Sequence, residues 1–308
     1  MKKQFSTIIF CLLIHTTFAC INEYKTLLDG SIYESGEPSS GKIGVNSIKN
    51  SELGEKAEAL LKAYQRSDSI EYLSDYGAAL VYMGQYEEGQ KIYQQIEAEN
   101  PGLYTTASNL GTIYELLGDP EKALYWIKKS VEINPQSHQG SEWIHIKILE
   151  FKLSEKKDYN QSILGMDFGN EEIPSKPENA DLRKLQDHIY HQLSERLKFI
   201  SPPNQIVGNI YFDYGNSIAH TIDVETALEA YEEAKRFGLK SELLEKRIAK
   251  FMELSKKAEF MNKPVTEKIS SSDYWFYVFQ HFLLTGLICG LVFGVILFWI
   301  VKMKQKRS

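Results

Sequence analysis

Through the middle of the chain, apolar residues recur at three- and four-residue intervals, the spacing that gathers them on one stripe of an α-helix. Ala107, Leu110, Ile113, Tyr114 and Leu117 form one such stripe. Gly118-Asp119 then interrupts the pattern as a turn, and Pro120 suits the first position of a following helix, where its missing N–H costs nothing. Ala123, Ile127, Ser130 and Val131 face back, with small residues where two helices would cross, and Asn134-Pro135 closes the unit. The pattern predicts a pair of antiparallel helices. Further amphipathic helices are predicted over 53–64, over 141–149, along Leu182, Leu185, Ile189, Leu193 and Leu197 up to Pro202-Pro203, and over 241–258.

The unit repeats. Gly77 and Gly111 stand 34 residues apart, as do Gly84 and Gly118, and Pro101 and Pro135. A fixed period of this length marks a stacked helical array. Leu110-Gly111, Tyr114, Gly118, Ala123 and Pro135 resemble the tetratricopeptide repeat, whose pattern is Leu-Gly, Tyr three residues later, Gly at the turn, Ala, an aromatic, Ala and a closing Pro. Gly89 and Ile96 in the first unit, and Ile127 and Ser130 in the second, depart from that pattern. The resemblance implies an all-α fold, a tetratricopeptide-repeat helical solenoid over 52–260, with clear repeats at 70–103 and 104–137. A degenerate repeat falls at 208–241, where Tyr214-Gly215, Ile218, Ala227, Tyr231 and Ala234 keep the spacing but Ile222 takes the place of the turn glycine. Residues 154–176 read as an irregular insertion, and the outermost helices as polar caps of the array.

The two ends follow a different pattern. Met1-Lys2-Lys3, an apolar run over 8–14 and Thr17-Phe18-Ala19 are the parts of a secretory signal peptide covering 1–19. Ala19-Cys20 resembles the end of a bacterial lipobox, which makes Cys20 a lipidation candidate; ordinary cleavage after Ala19 is the alternative. Residues 20–51, with Gly30, Gly36, Pro38, Gly41 and Gly44, read as an exposed leader. Near the other end, 261–277 read as a tether and 278–301 as a single transmembrane helix. The stretch 282–301 carries no charge, and about 20 such residues cross a hydrocarbon core of about 30 Å. Lys302, Lys304, Lys306 and Arg307 then place the tail 302–308 in the cytoplasm. The expected location is a bacterial inner membrane, crossed once, with the repeats on the periplasmic side. Gly286, Gly290 and Gly294 stack on one face of that helix, through which the chain would pair with another span or with its own copy.

Composition narrows the function. A net charge of −6 without clustered Lys and Arg excludes a nucleic-acid partner, since neutralising phosphates needs such clusters. A hydrophobic share of 43% excludes wholesale disorder. Residues 36–42 fit the glycine-and-lysine frame of a phosphate-binding loop, but Ile43 stands where a Ser or Thr must hold magnesium. His188 and His191 lie three apart on one helix with no third ligand at metal spacing, so no metal or other cofactor is expected. No nucleophile arrangement appears and the carboxylates read as lying on solvated helix faces, so no enzyme is expected.

Surface remains. The resemblance implies a concave groove lined by the first helix of each unit. Its residues here are Glu71, Ser74, Ala78, Val81, Tyr82, Ser108, Thr112 and Glu115, continued by Asn209, Phe212, Asn216 and His220 in the degenerate unit. Ser74 stands where chaperone-binding members of the family carry a lysine, and so few positive charges suit a neutral, apolar or basic peptide. The predicted function is a non-enzymatic interaction scaffold or adaptor of the cell envelope that binds a protein or peptide partner. The second reading is a membrane-bound regulatory or sensor protein that self-associates through its transmembrane helix.

Overall fold

The computed structural model of the chain describes residues 23–35, 39–44 and 50–262, where ten α-helices follow a short β-hairpin. All of these lie in one unit, Met1–Asn262; the second unit, Lys263–Ser308, lies outside the described residues. After α1 (Asn50–Ser67), three helix pairs carry the repeat: α2 (Ile70–Tyr82) with α3 (Tyr86–Glu99), α4 (Tyr104–Leu116) with α5 (Pro120–Ile133), and α8 (Gln205–Ala219) with α9 (Val224–Arg236).

One steric relationship recurs in all three pairs. A Cβ built on Gly77 would lie 3.0 Å from the Tyr93 ring, one on Gly111 2.4 Å from Ile127, and one on Gly215 2.5 Å from the Tyr231 ring. The first helix thus omits a side chain where the second presses a large, fully buried one against it. Gly84 and Gly118 turn the chain between partners at φ +80° and +81°, a conformation other residues resist. In the third pair Ile222 occupies that turn, and the cap compensates: the Asp223 side chain accepts from Thr226 N at 2.7 Å, as Asp119 accepts from Lys122 N at 3.1 Å.

Between the second and third pairs run a 3-10 turn (Ser137–Gly140), α6 (Glu142–Leu153), the insertion and α7 (Leu182–Arg196); α10 (Glu242–Asn262) follows α9. Two cores result. Leu73, Tyr93, Ile96, Leu110, Ile113 and Ile127 pack in the first, and Ile189, Ile210, Tyr231, Phe237 and Phe251 in the second. Leu164 and Phe168 of the insertion and Ile43 of the N-terminal segment also belong to the second core.

The stretch expected as an exposed leader is docked where it is described. Strands β1 (Glu23–Thr26) and β2 (Ile32–Ser35) pair antiparallel, with Glu23 opposite Ser35. Thr26 donates from N and Oγ1 to Glu225 on α9, at 2.9 and 2.7 Å, and Tyr24 exchanges main-chain bonds with the Asn262 carboxamide at the end of α10. Gly41 N donates to Glu229 at 3.0 Å, and a Cβ at Gly41 would fall 2.1 Å from Thr226 O. The glycine that suggested a phosphate loop therefore serves a close approach to α9, its amide spent on a carboxylate.

The expected fold class, an all-α solenoid followed by a single C-terminal transmembrane helix, is corrected in two respects. A β-hairpin accompanies the helices. Among the described residues, no helix is long and apolar enough to cross a membrane. The longest of them, α10, carries charges along its length, from Glu242 and Glu245 through Arg247 to Glu259, and a charge-free apolar stretch is what a span requires. No described helix carries the single-pass inner-membrane location that was expected. Residues 278–301, on which the expectation rested, lie outside the described residues, as do Cys20 and the stretch 1–19.

Candidate binding groove

Of the groove residues expected from the sequence, Ala78, Val81 and Tyr82 on α2 and Ser108, Thr112 and Glu115 on α4 line one cavity of about 460 Å³. Glu71 and Ser74 do not line it. Glu71 accepts from Ser69 Oγ at the start of α2, and the Ser74 carbonyl accepts from Tyr93 Oη at 2.7 Å. The opposite wall comes from helices outside the clear repeats: Glu142, His145 and Lys152 of α6 and Gln192 and Arg196 of α7, with Phe199 just beyond. At the mouth, Tyr82 stacks on Phe199, ring centroids 5.3 Å apart and planes within 9°. Gly286, Gly290 and Gly294 lie outside the described residues.

The cavity wall is charged, contrary to the expectation that carboxylates sit on solvated faces. Glu115, its side chain 6% exposed, accepts four bonds: Lys152 Nζ at 2.6 Å and Arg196 Nη1 at 2.8 Å on Oε1, His145 Nε2 at 2.6 Å and Arg196 Nη2 at 3.1 Å on Oε2. Burial alone would raise the carboxyl, but the Arg196 guanidinium and the His145 imidazole hold it well below the usual range. Next to it, Glu142 is opposed by burial yet drawn down to about 2 by the bond from His138 and by the His145 imidazole 3.6 Å away, although its Oε2 is buried without a hydrogen-bond donor among the described residues. The bond that His138 donates to Glu142 raises His138; His145, despite its burial, is raised by Glu115. His191, against the His138 ring, is lowered by burial and by that neighbour, and Trp143 Nε1 donates to His188 at 2.8 Å.

The far wall was concealed by distance, although one signal was present. Arg196 stands three residues after Leu193 and continues the apolar stripe of α7, a place where a charge requires a buried partner. Likewise Glu142 and His145 share one face of α6 by their spacing, with His138 in the turn just before it.

The degenerate unit behaves otherwise. Asn209, Phe212 and Asn216 of α8, expected to line the groove, are buried. The insertion covers them. Asn209 Nδ2 donates to the carbonyls of Tyr159 and Gln161 at 3.0 and 2.9 Å, and its Oδ1 accepts from Ile163 N at 2.9 Å. Ser162 Oγ donates to Asp213, and Arg247, fully buried, donates to Asn216 and to the carbonyls of Phe168, Gly169 and Glu171. Burial raises Asp213 to about 7, against the pull of Ser162 and Arg247. The insertion occupies most of this stretch of the concave face and leaves a cavity of about 290 Å³ beside Phe212, Asp213 and Asn216, distinct from the cavity of about 460 Å³ between α2, α4, α6 and α7.

The family described as tetratricopeptide repeat matches residues 105–137, which cover nearly all of α4, the whole of α5 and the turn after it. No curated protein matches the chain. Repeats of this kind generally mediate protein–protein interaction, which supports a protein partner and a scaffold role.

Proposed function

We propose that this protein is a non-enzymatic interaction scaffold that receives a segment of a partner protein in the cavity between α2, α4, α6 and α7. One observation carries the reading: six of the eight groove residues expected from the repeat converge on a single half-open cavity of about 460 Å³. That volume falls in the range of pockets that hold drug-sized ligands, roughly 300–1,000 Å³, and accommodates a few side chains of an extended segment. The equivalent face of the third pair already holds a turn of the insertion through bonds between the Asn209 side chain and its main chain, so this architecture can grip a segment of polypeptide.

A photo-crosslinking side chain placed at Thr112, inside the cavity, is compared with one at Tyr125, which is 62% exposed on the outer face of α5. In extracts of the native host, one protein is expected to crosslink at Thr112 and not at Tyr125. Equal labelling at both positions overturns the cavity as the binding site.

A further inference from the structure

The turn before α6 is held in an uncommon conformation. His138, Gln139 and Gly140 follow one another at φ 48°, 58° and 75°, a region that residues with a side chain seldom adopt. Such residues persist where their surroundings fix them. Much of that hold comes from α7. Gln192 Nε2 donates to Ser141 Oγ at 3.1 Å, the His191 ring lies 5.1 Å from the His138 ring, and Trp143 Nε1 donates to His188 Nδ1 at 2.8 Å. These three residues of α7 meet the turn and the start of α6, whereas Leu185, Ile189 and Leu193 of the same helix lie in the second core.

This seam depends on uncharged imidazoles. An indole nitrogen only donates, so His188 Nδ1 has to be free to accept, and a proton there sets N–H against N–H. His191 Nε2 is buried without a partner among the described residues, and a charge on that ring would face His138, whose bond to Glu142 favours a proton of its own. The neighbouring charges do not offset this. Burial and then Lys184 lower His188, against the Gln139 main chain and Asp187. Burial and then His138 lower His191, with Lys198 adding to them, against Glu195 on its own helix and Glu142 on α6. On the side of α8, Tyr214 interacts with Asp187 and Tyr190; on the side of α4, Glu115 is engaged by Arg196 and His145.

We propose that His188 and His191 form an acid-sensitive latch: uncharged, they hold the turn 137–140 and the start of α6 against α7, and on protonation they release them. α7 itself stays on α8. At its far end the pair of Arg196 and Glu115 keeps its charges, because Glu115 is held well below the usual carboxylate range. The strip that gives way contains His138, Glu142 and Gln192, which line the cavity of about 460 Å³. The latch involves no partner, so it stands or falls independently of that cavity being the binding site.

The test is amide exchange by mass spectrometry on the full chain at about pH 7.5 and about pH 5.5, on either side of the free imidazole value of about 6.5. Exchange times are scaled to the intrinsic rate at each pH. A lowered histidine stabilises the latched state above the free value and loses that contribution as pH falls toward its native value. Residues 137–144 are therefore expected to exchange faster at the lower pH, by up to about tenfold per histidine for each pH unit crossed, while α4 and α8 keep their protection. His188→Gln keeps an acceptor for Trp143 and cannot take the proton, and His191→Gln removes the second charge; together they are expected to abolish the response. His220→Gln, at a histidine also lowered by burial but placed at the C-cap of α8, leaves it intact. No acid response at 137–144, an equal response in the double variant, its loss in His220→Gln, or equal loosening of α4 and α8 would each overturn the proposal. If the double variant is already loosened at about pH 7.5, the imidazole C–H resonances of the parent decide, with His220 identified by its variant. Two further imidazoles titrating below the free value, in step with the exchange, support the latch; titration of all the others at or above it overturns the latch.

Discussion

Arg196 on α7 grips Glu115 on α4 with two bonds, 2.8 and 3.1 Å long, across 81 residues of sequence. This pair ties α7 to the clear repeats and lines the cavity between α2, α4, α6 and α7. Its energetics are asymmetric, because both groups are buried and each satisfies the other.

Removing one partner should therefore cost more than removing both. Arg196→Ala is expected to lower the unfolding free energy by about 3–5 kcal/mol, and Glu115→Leu/Arg196→Leu by much less. Denaturant unfolding of the two variants against the parent protein checks this. Simple additivity of the single Glu115→Leu and Arg196→Leu effects would show that the pair is not coupled.

Asp213 gives a pH dependence of unusual sign. Its native carboxyl keeps a proton up to about pH 7, whereas an unfolded aspartate releases it near pH ~4. Between those limits the native state binds more protons, so this residue's contribution to stability falls as pH rises. Asp213→Asn is expected to abolish that slope and to be more stable than the parent at about pH 8, by ~1–4 kcal/mol. Glu115 and Glu142 run the opposite way: held below their unfolded values, they stabilise the fold above the ordinary carboxylate range and lose that contribution as pH falls. Thermal melts of parent and variant across pH resolve the two slopes.

Arg247 is the main clasp of the insertion. Arg247→Met leaves the carbonyls of Phe168, Gly169 and Glu171 without their donor, at about 1–3 kcal/mol for each group left buried and unpaired. Amide exchange over 158–171 should accelerate strongly, and α2 to α5 should exchange as before. Asn209→Ala should act more narrowly, on the Ile163 amide whose acceptor it removes.

Gly41→Ala tests the docking of the N-terminal segment. The added methyl group meets main-chain atoms of α9, which cannot rotate aside as a side chain would. A loss of about 1–3 kcal/mol is expected, with faster exchange at Thr26 and Gly41. Unchanged exchange at both amides would show that α9 does not hold the segment.

What could be read from the sequence was local. The helix pairs over 70–137 follow from apolar spacing, turn glycines and the Asp119 cap, all of which act between residues a few positions apart. Gly77, Gly111 and Gly215 lie where each crossing needs a missing side chain, so even the third pair was legible despite Ile222 at its turn. The α2 and α4 wall of the groove was legible for the same reason, being set by helical phase within one repeat.

The remainder of the site depends on which helix meets which. Nothing near Glu115 in the chain announces Lys152, 37 residues on, or Arg196, 81 residues on. A carboxylate on a helix surface and one in a saturated buried cluster look alike in local sequence. The same holds for Asn209, Phe212 and Asn216, placed by helical phase on the concave face and then covered by an insertion whose path follows no periodicity. By itself the sequence determined the repeating helix pairs and the first wall of the groove, because spacing and turn chemistry act over a few residues. The charge of the opposite wall, and which stretch of groove stays open, were decided only by tertiary structure, because burial and pairing depend on residues that are distant in the chain.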